Sequence, residues 1–205
     1  MKNRIGVLVL AAGLVPAAVC AGESRDALCA SAAQKDALAT AWAGKAPRLA
    51  AVARSAGVSE AAALSSLPAE RAVGVSGAAF AEVWKSLQAW PDSVTVITKA
   101  DQVFEVHGRI PAGEPSKVSK YFNLDPKAPG ITGHLRPDVY AAIYAASLPG
   151  RDRVEHGILF FDPAGQLIFG VYVPNEHAAE DSRVLDAFRA TAALISAAPR
   201  LCPAG

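Results

Sequence analysis

The sequence offers a partner almost no net charge. Its 20 Lys and Arg stand against 19 Asp and Glu, a formal +1 over 205 residues. The basic residues are scattered, without a stripe or cluster, which excludes the electrostatic footprint of a nucleic-acid binder. Cysteine is scarce, at positions 20, 29 and 202. No two histidines stand at helical or hairpin ligand spacing, so nothing points to a zinc site. A glycine-rich phosphate loop after a strand is lacking, as are internal repeats and low-complexity tracts. The nearest approach to a catalytic motif is Gly74-Val75-Ser76-Gly77-Ala78. It has Ala where the last Gly of a nucleophile elbow belongs, and no strand is predicted before it, which argues against hydrolase chemistry.

What the chain does have is apolar material, 52% of its residues. That suffices for one substantial core, and a single domain over residues 23–205 is expected, with a helical segment at 23–67 and a core at 68–197. Residues 1–22 have the three-part layout of a secretory signal peptide: Lys2 and Arg4, an uncharged run from Ile5 to Val15, then Pro16 and small residues. The run is short of the roughly 20 residues that span a bilayer, which disfavours a retained anchor helix, and no stable membrane insertion is expected after cleavage. Ala17 and Val19 fit poorly to a lipobox before Cys20, so a lipid anchor there is disfavoured too. Cleavage after Ala21 leaves Cys29 and Cys202 in a periplasmic or extracellular compartment, where an even count suggests one disulfide. Two free buried thiols are the alternative.

Residues 24–67 read as two or three helices, with Gly57-Val58 as a break and Ser59 as an N-cap. The helix-turn-helix look of residues 48–67 lacks a basic recognition helix and reads as a packed hairpin. A helix over 78–90 places Phe80, Val83, Trp84, Leu87 and Trp90 on one apolar stripe, so both tryptophans are assigned to the core. Seven β-rich runs follow, at 93–98, 102–110, 118–124, 130–136, 139–148, 154–161 and 166–173, broken by turn-forming Pro, Gly and Asp. A last helix is predicted over 178–197. The order predicts an α+β fold: N-terminal helices, an antiparallel meander and a C-terminal helix.

The chemistry then rests with His107, His134, His156 and His177. Haem iron is commonly held by an imidazole nitrogen, with the macrocycle against apolar and aromatic groups and the propionates met by Lys or Arg. His134 has such a neighbourhood. It lies in a predicted strand between Gly133 and Leu135, with Arg136 on its own face by alternation, and the preceding strand carries Lys120, Tyr121 and Phe122. Gly133 is expected to relieve crowding beside a planar ligand. His107 reads as an edge or surface imidazole. If Ala100-Asp101 forms a two-residue turn, Thr98 pairs with Val103 and Val94 with His107. His156 and Glu155, being adjacent on a strand, face opposite ways and make a poor acid/base pair, and His177 reads as capping or packing.

From about Leu67 to Ile195 the chain resembles the HutX/ChuX family of haem carriers. The residues that carry the likeness are FAEVWKSLQAW from Phe80, ADQVFEVHGRIPAG from Ala100, YFNL from Tyr121, GITGHLR from Gly130 and ILFFDPAGQLIFGVYV from Ile158, with His177 to Phe188 leading into the last helix. The resemblance implies a split-barrel-like homodimer that binds haem without degrading it, and its Gly-His ligand motif falls on His134. The family's second histidine position is Thr98 here, and its His-rich loop is replaced by residues 114–120, which hold no histidine. The expectation is an exported haem carrier and not an enzyme, with His134 as axial ligand in a partly open cleft. Tyr121 and Phe122 are expected to contact the macrocycle, Lys120 and Arg136 to meet its propionates, and a donor or acceptor protein to exchange the haem. A different apolar or tetrapyrrole ligand on the same scaffold is the alternative, and a haem-degrading enzyme a third.

Overall fold

Short local signals set the N-terminal helices. In the computed structural model, which describes residues 25–99, 102–174 and 182–202, Ser31 and Gln34 form a reciprocal capping box at the start of α1 (Ala32–Trp42). Gly57 ends α2 (Leu49–Ala56) with a left-handed φ of 63°, and the Ser59 hydroxyl accepts the Ala62 N–H to open α3 (Glu60–Ser65). The helical hairpin expected there is present. The signal peptide at 1–22, the Ala100-Asp101 turn and His177 lie outside the described residues.

Next comes β1 (Ala72–Ser76), a strand that the sequence did not announce. Its first four residues are all buried, so it lacks the alternation of a half-exposed strand. The Gly74-to-Ala78 motif therefore does follow a strand, contrary to expectation. It is still no nucleophile elbow, because the Ser76 hydroxyl accepts the Ala78 N–H at 3.3 Å and caps the single turn Gly77–Ala79. Helix α4 (Phe80–Leu87) buries Phe80, Val83, Trp84 and Leu87. Both tryptophans are core, as expected, with indole N–H groups donating to the Pro111 carbonyl at 3.1 Å and the Thr191 hydroxyl at 3.0 Å.

The remaining strands are β2 (Val94–Lys99), β3 (Gln102–His107), β4 (Gly113–Pro115), β5 (Phe122–Leu124), β6 (His134–Leu135), β7 (Ala142–Pro149), β8 (Val154–Phe161) and β9 (Leu167–Tyr172), followed by α5 (Ser182–Ala197). The α+β order expected is present, with β7-β8-β9 an antiparallel meander, and the strands divide between two sheets. A six-stranded antiparallel sheet runs β1-β7-β8-β9-β2-β3, and β4-β5-β6 make a separate three-stranded sheet. The β2–β3 register is the one expected, Thr98 opposite Val103 and Val94 opposite His107. The runs predicted at 118–124 and 130–136 shrink to β5 and β6 because burial stops: Phe122 and Leu124 are covered, whereas Val118 is fully exposed.

The pleat of the large sheet sorts its side chains into two apolar clusters. Strands β7 and β8 send Ile143, Ala145, Ile158 and Phe160 toward α4, α5 and the small sheet, and Ala142, Tyr144, Ala146, Leu159 and Phe161 toward α1–α3. A disulfide joins Cys29 to Cys202, with Cα atoms 5.7 Å apart, and Leu201 N–H donates to the Gly74 carbonyl of β1. Among the described residues no helix is long and apolar enough to cross a membrane, and no group of three metal-ligating side chains is found.

Candidate functional site

The small sheet builds the site through its register. Strands β5 and β6 pair antiparallel with Asn123 opposite His134 and Phe122 opposite Leu135. Alternation puts Asn123 and His134 on the outer face, while Phe122 and Leu124 turn into the core. This corrects one expectation: Phe122 packs edge-on against Phe80, ring centroids 5.3 Å apart, and is a core residue that anchors the sheet from beneath rather than a ligand contact.

His134 Nδ1 lies 2.8 Å from the Asn123 side-chain oxygen. That oxygen only accepts, so Nδ1 carries the hydrogen, and in the neutral ring Nε2 keeps its lone pair. Among the described residues nothing bonds Nε2, and the ring is exposed. A partner on one imidazole nitrogen, fixing tautomer and orientation so that the other faces a metal, is the usual arrangement of a histidine ligand. Nothing within YFNL marks Asn123 for this role, which arises from the β5–β6 register.

Tyr121 stands edge-on to His134 at 5.8 Å, and the Arg136 guanidinium lies over the Tyr121 ring at 5.6 Å. The three side chains form one exposed tier. Arg136 is committed, however: Nε and Nη2 donate to the two Asp138 oxygens at 2.7 and 2.8 Å, and Lys120 Nζ approaches the same carboxylate at 3.6 Å. The Arg136 fork holds the Asp138 carboxyl down at about 2, and the carboxylate in turn raises Arg136. The two cations read as propionate partners thus already share an internal anion, which the sequence reading missed. Its signal was Arg-Pro-Asp, where Pro137 opens the turn Pro137–Val139 that swings Asp138 back. Replacing Asp138 with Asn should free both cations and remove a like charge facing any carboxylate ligand. Haemin affinity should rise several-fold at low salt and less at high salt, as charges this exposed are screened. A titration that finds weaker binding would show that Asp138 serves to hold Arg136 in place.

Gly133 is required by its backbone conformation. A Cβ there would meet no protein atom within 4 Å, and its φ of 132° favours glycine. Thr98 is exposed on β2 of the other sheet, paired with Val103, and no described contact joins it to His134. His107 is exposed with Glu105 as neighbour, at 3.9 Å. His156 does not pair with Glu155; its Nδ1 meets the Ser147 hydroxyl of the neighbouring strand at 2.8 Å. His134 stands exposed on the outer face of the small sheet. Tyr121, Val118 and Val139 leave apolar surface exposed on the segments around β5 and β6, and His134 lines neither the groove beside α5 nor the one beside Cys202.

The sequence profile of the family described as haem utilisation ChuX/HutX matches residues 73–191, from β1 into α5. The chain belongs to the ChuX/HutX family. The match takes in His134, Asn123 and the whole of both sheets apart from Ala72, and leaves out α1–α3. Over 114 residues this ChuX/HutX chain is 28% identical to the intracellular heme transport protein HutX of Vibrio cholerae serotype O1, covering 56% of this chain and 58% of HutX. The alignment therefore spans little more than half of that relative. The solved structure of the heme binding protein ChuX superposes with a TM-score of 0.68 at 23% identity, covering 80% of this chain and 99% of that one. The heme degrading enzyme ChuS of Escherichia coli O157:H7 shares the fold at a TM-score of 0.62 and 17% identity, covering 78% of this chain and 48% of its own.

Proposed function

We propose that this protein binds haem through His134 and carries or buffers it without degrading it, as an exported homodimer. The observation that carries the reading is the Asn123–His134 bond, which leaves Nε2 open at an exposed aromatic and cationic tier. The residues suit the cargo: an imidazole for iron, the Tyr121 ring beside it, and Arg136 and Lys120 within reach of carboxylates. The family and the transport role named for HutX support the same reading.

Three features support its finer parts. The acid of the tier, Asp138, is held ionised by Arg136 and so has no proton to give to oxygen chemistry on bound haem. The Cys29–Cys202 bond suits an oxidising compartment and fits the leader read at residues 1–22, whereas HutX is described as intracellular. The open face beside His134 and the β3 edge, with Val103 and Phe104 more than half exposed, suit coverage by a second copy. A donor or acceptor protein would use the site when it is uncovered.

Titration of the mature protein with haemin tests the proposal. Saturation with a shifted Soret band is expected, with affinity on the order of micromolar or somewhat tighter, because a carrier must release its load. Ascorbate in air should then leave the band intact. A defined bilin product would make the protein an enzyme. Absence of any shift would favour the reading that Thr98, at the family's second histidine position, suggests: another tetrapyrrole or apolar ligand on this scaffold.

A further inference from the structure

Strand β1 ends the large sheet, so one of its edges has no strand beside it. Bonds from the Ser147 N–H to the Arg71 carbonyl and from the Gly77 N–H to the Ala141 carbonyl set the alternation that turns Val73 and Val75 toward β7. Gly74 therefore points its backbone outward. Its carbonyl accepts the Leu201 N–H at 2.9 Å, and among the described residues nothing accepts its N–H. Tyr144 stands opposite Gly74 on β7. A Cβ on Gly74 would fall 2.5 Å from Tyr144 Cζ, so the phenol lies across β1 where only glycine leaves it room. This carries the hydroxyl to the open edge, 3.6 Å from the Cys202 sulfur. A disulfide sulfur is a weak acceptor, yet among the described residues it is the only partner of this hydroxyl, on a side chain 2% exposed. Burial pushes the phenol above its ordinary value, so it keeps its proton and stays a donor.

Tyr144 and Gly74 line a groove of about 480 Å³ that shares no residue with the His134 tier. Lys35 of α1 and Arg200 of the C-terminal tail lie on it, with Leu67, Pro68 and Val73 as apolar wall. Among the described residues no acid lines it, and neither cation has an acid partner. The Ser65 and Ser66 hydroxyls on the same lining donate to the Ala62 and Ala63 carbonyls and have no hydrogen to offer. The groove thus gathers donors and positive charge beside an apolar wall, without an anion to answer them.

We propose that this groove binds an amphiphilic carboxylate, whose head accepts the Tyr144 hydroxyl with Lys35 and Arg200 as counter-ions and whose apolar body lies against Leu67, Pro68 and Val73. A hydrogen bond to a charged acceptor is stronger than one to a neutral group, so the carboxylate outcompetes the sulfur for the phenol. Its second oxygen suits the outward Gly74 N–H. The volume falls within the roughly 300–1,000 Å³ of sites for drug-sized ligands, which gives a hydrocarbon body room.

Calorimetric titration of the full protein with sodium octanoate, 1-octanol and octylammonium chloride holds the tail constant and varies the head. Octanoate should saturate with a Kd on the order of a millimolar, and octanol and octylammonium should bind at least about tenfold more weakly. Tyr144→Phe keeps the ring across Gly74 and removes the donor, and should weaken octanoate about tenfold. Where circular dichroism shows that this variant fails to fold, the Lys35→Gln, Arg200→Gln double variant decides alone, with about tenfold weaker binding and a flatter salt dependence. His134→Ala should bind octanoate as the wild type does, so this proposal and the haem reading fail independently. The proposal is overturned by a wild type that does not saturate with octanoate, by octanol or octylammonium binding as tightly, or by a deciding variant that binds unchanged.

Discussion

Replacing His134 with Ala should weaken haemin binding by on the order of 100-fold or more and abolish the ligand-dependent Soret shift. Loss of a residue that merely orients a metal ligand typically costs 10- to 100-fold, and loss of the ligand itself should exceed that. Asn123 supplies the calibration. Its oxygen fixes the Nδ1–H tautomer from 2.8 Å away, so Asn123→Ala should lose about tenfold while keeping the Soret position. Both side chains are on the outer face of a short sheet anchored from beneath by Phe122, so neither change should move the thermal midpoint by more than a surface substitution does. If the two alanine variants and the wild type give the same titration curve, the ligand is elsewhere. If Asn123→Ala loses as much as His134→Ala, Asn123 is acting as more than an orienting group.

The second large effect concerns stability. The Cys29–Cys202 bond closes a loop with a sequence separation of 173 residues. By chain entropy such a closure is worth up to roughly 5 kcal/mol, and measured values for native bonds fall at about 2–5. A Cys29→Ser, Cys202→Ser double variant should therefore unfold at a markedly lower urea concentration, by about 2–5 kcal/mol on extrapolation, with a steeper slope because the unconstrained denatured chain exposes more surface. Haemin affinity should be unchanged, as neither Cys29 nor Cys202 touches the tier. A midpoint equal to that of the oxidised wild type would mean that the packing of Leu28, Leu201 and their neighbours already holds the ends together.

What was legible in the sequence follows from how local its cause is. The caps at Ser31 and Ser59 and the left-handed Gly57 act within a few residues, and so do the β2–β3 register and the stripe around Trp84. His134 could be singled out because its strand neighbours and the family likeness pointed to it together. Other features needed the third dimension. Strand β1 is hidden because its burial on both faces erases alternation. The split into two sheets depends on which strand β2 finds as neighbour, and that is β9, some 70 positions away in the chain. Phe122 and Tyr121 were assigned together, although adjacent strand residues face opposite ways; parity alone shows that one must be wrong, and only packing shows which. The role of Asn123 is not legible because a register across the loop with Pro126, Pro129 and Gly130 follows no turn rule, unlike the β2–β3 pairing. Asp138 was overlooked because a counter-ion two residues away looks like part of the next turn.

The bond between Cys29 and Cys202 has a consequence for how the protein meets a protease. With Cys29 and Cys202 linked, everything between them forms a covalent ring, so one cut by a protease opens the ring without producing two molecules. A clip in the exposed stretch around Val118, beside the His134 tier, would leave both pieces tethered and their sheets in place until a reductant arrives.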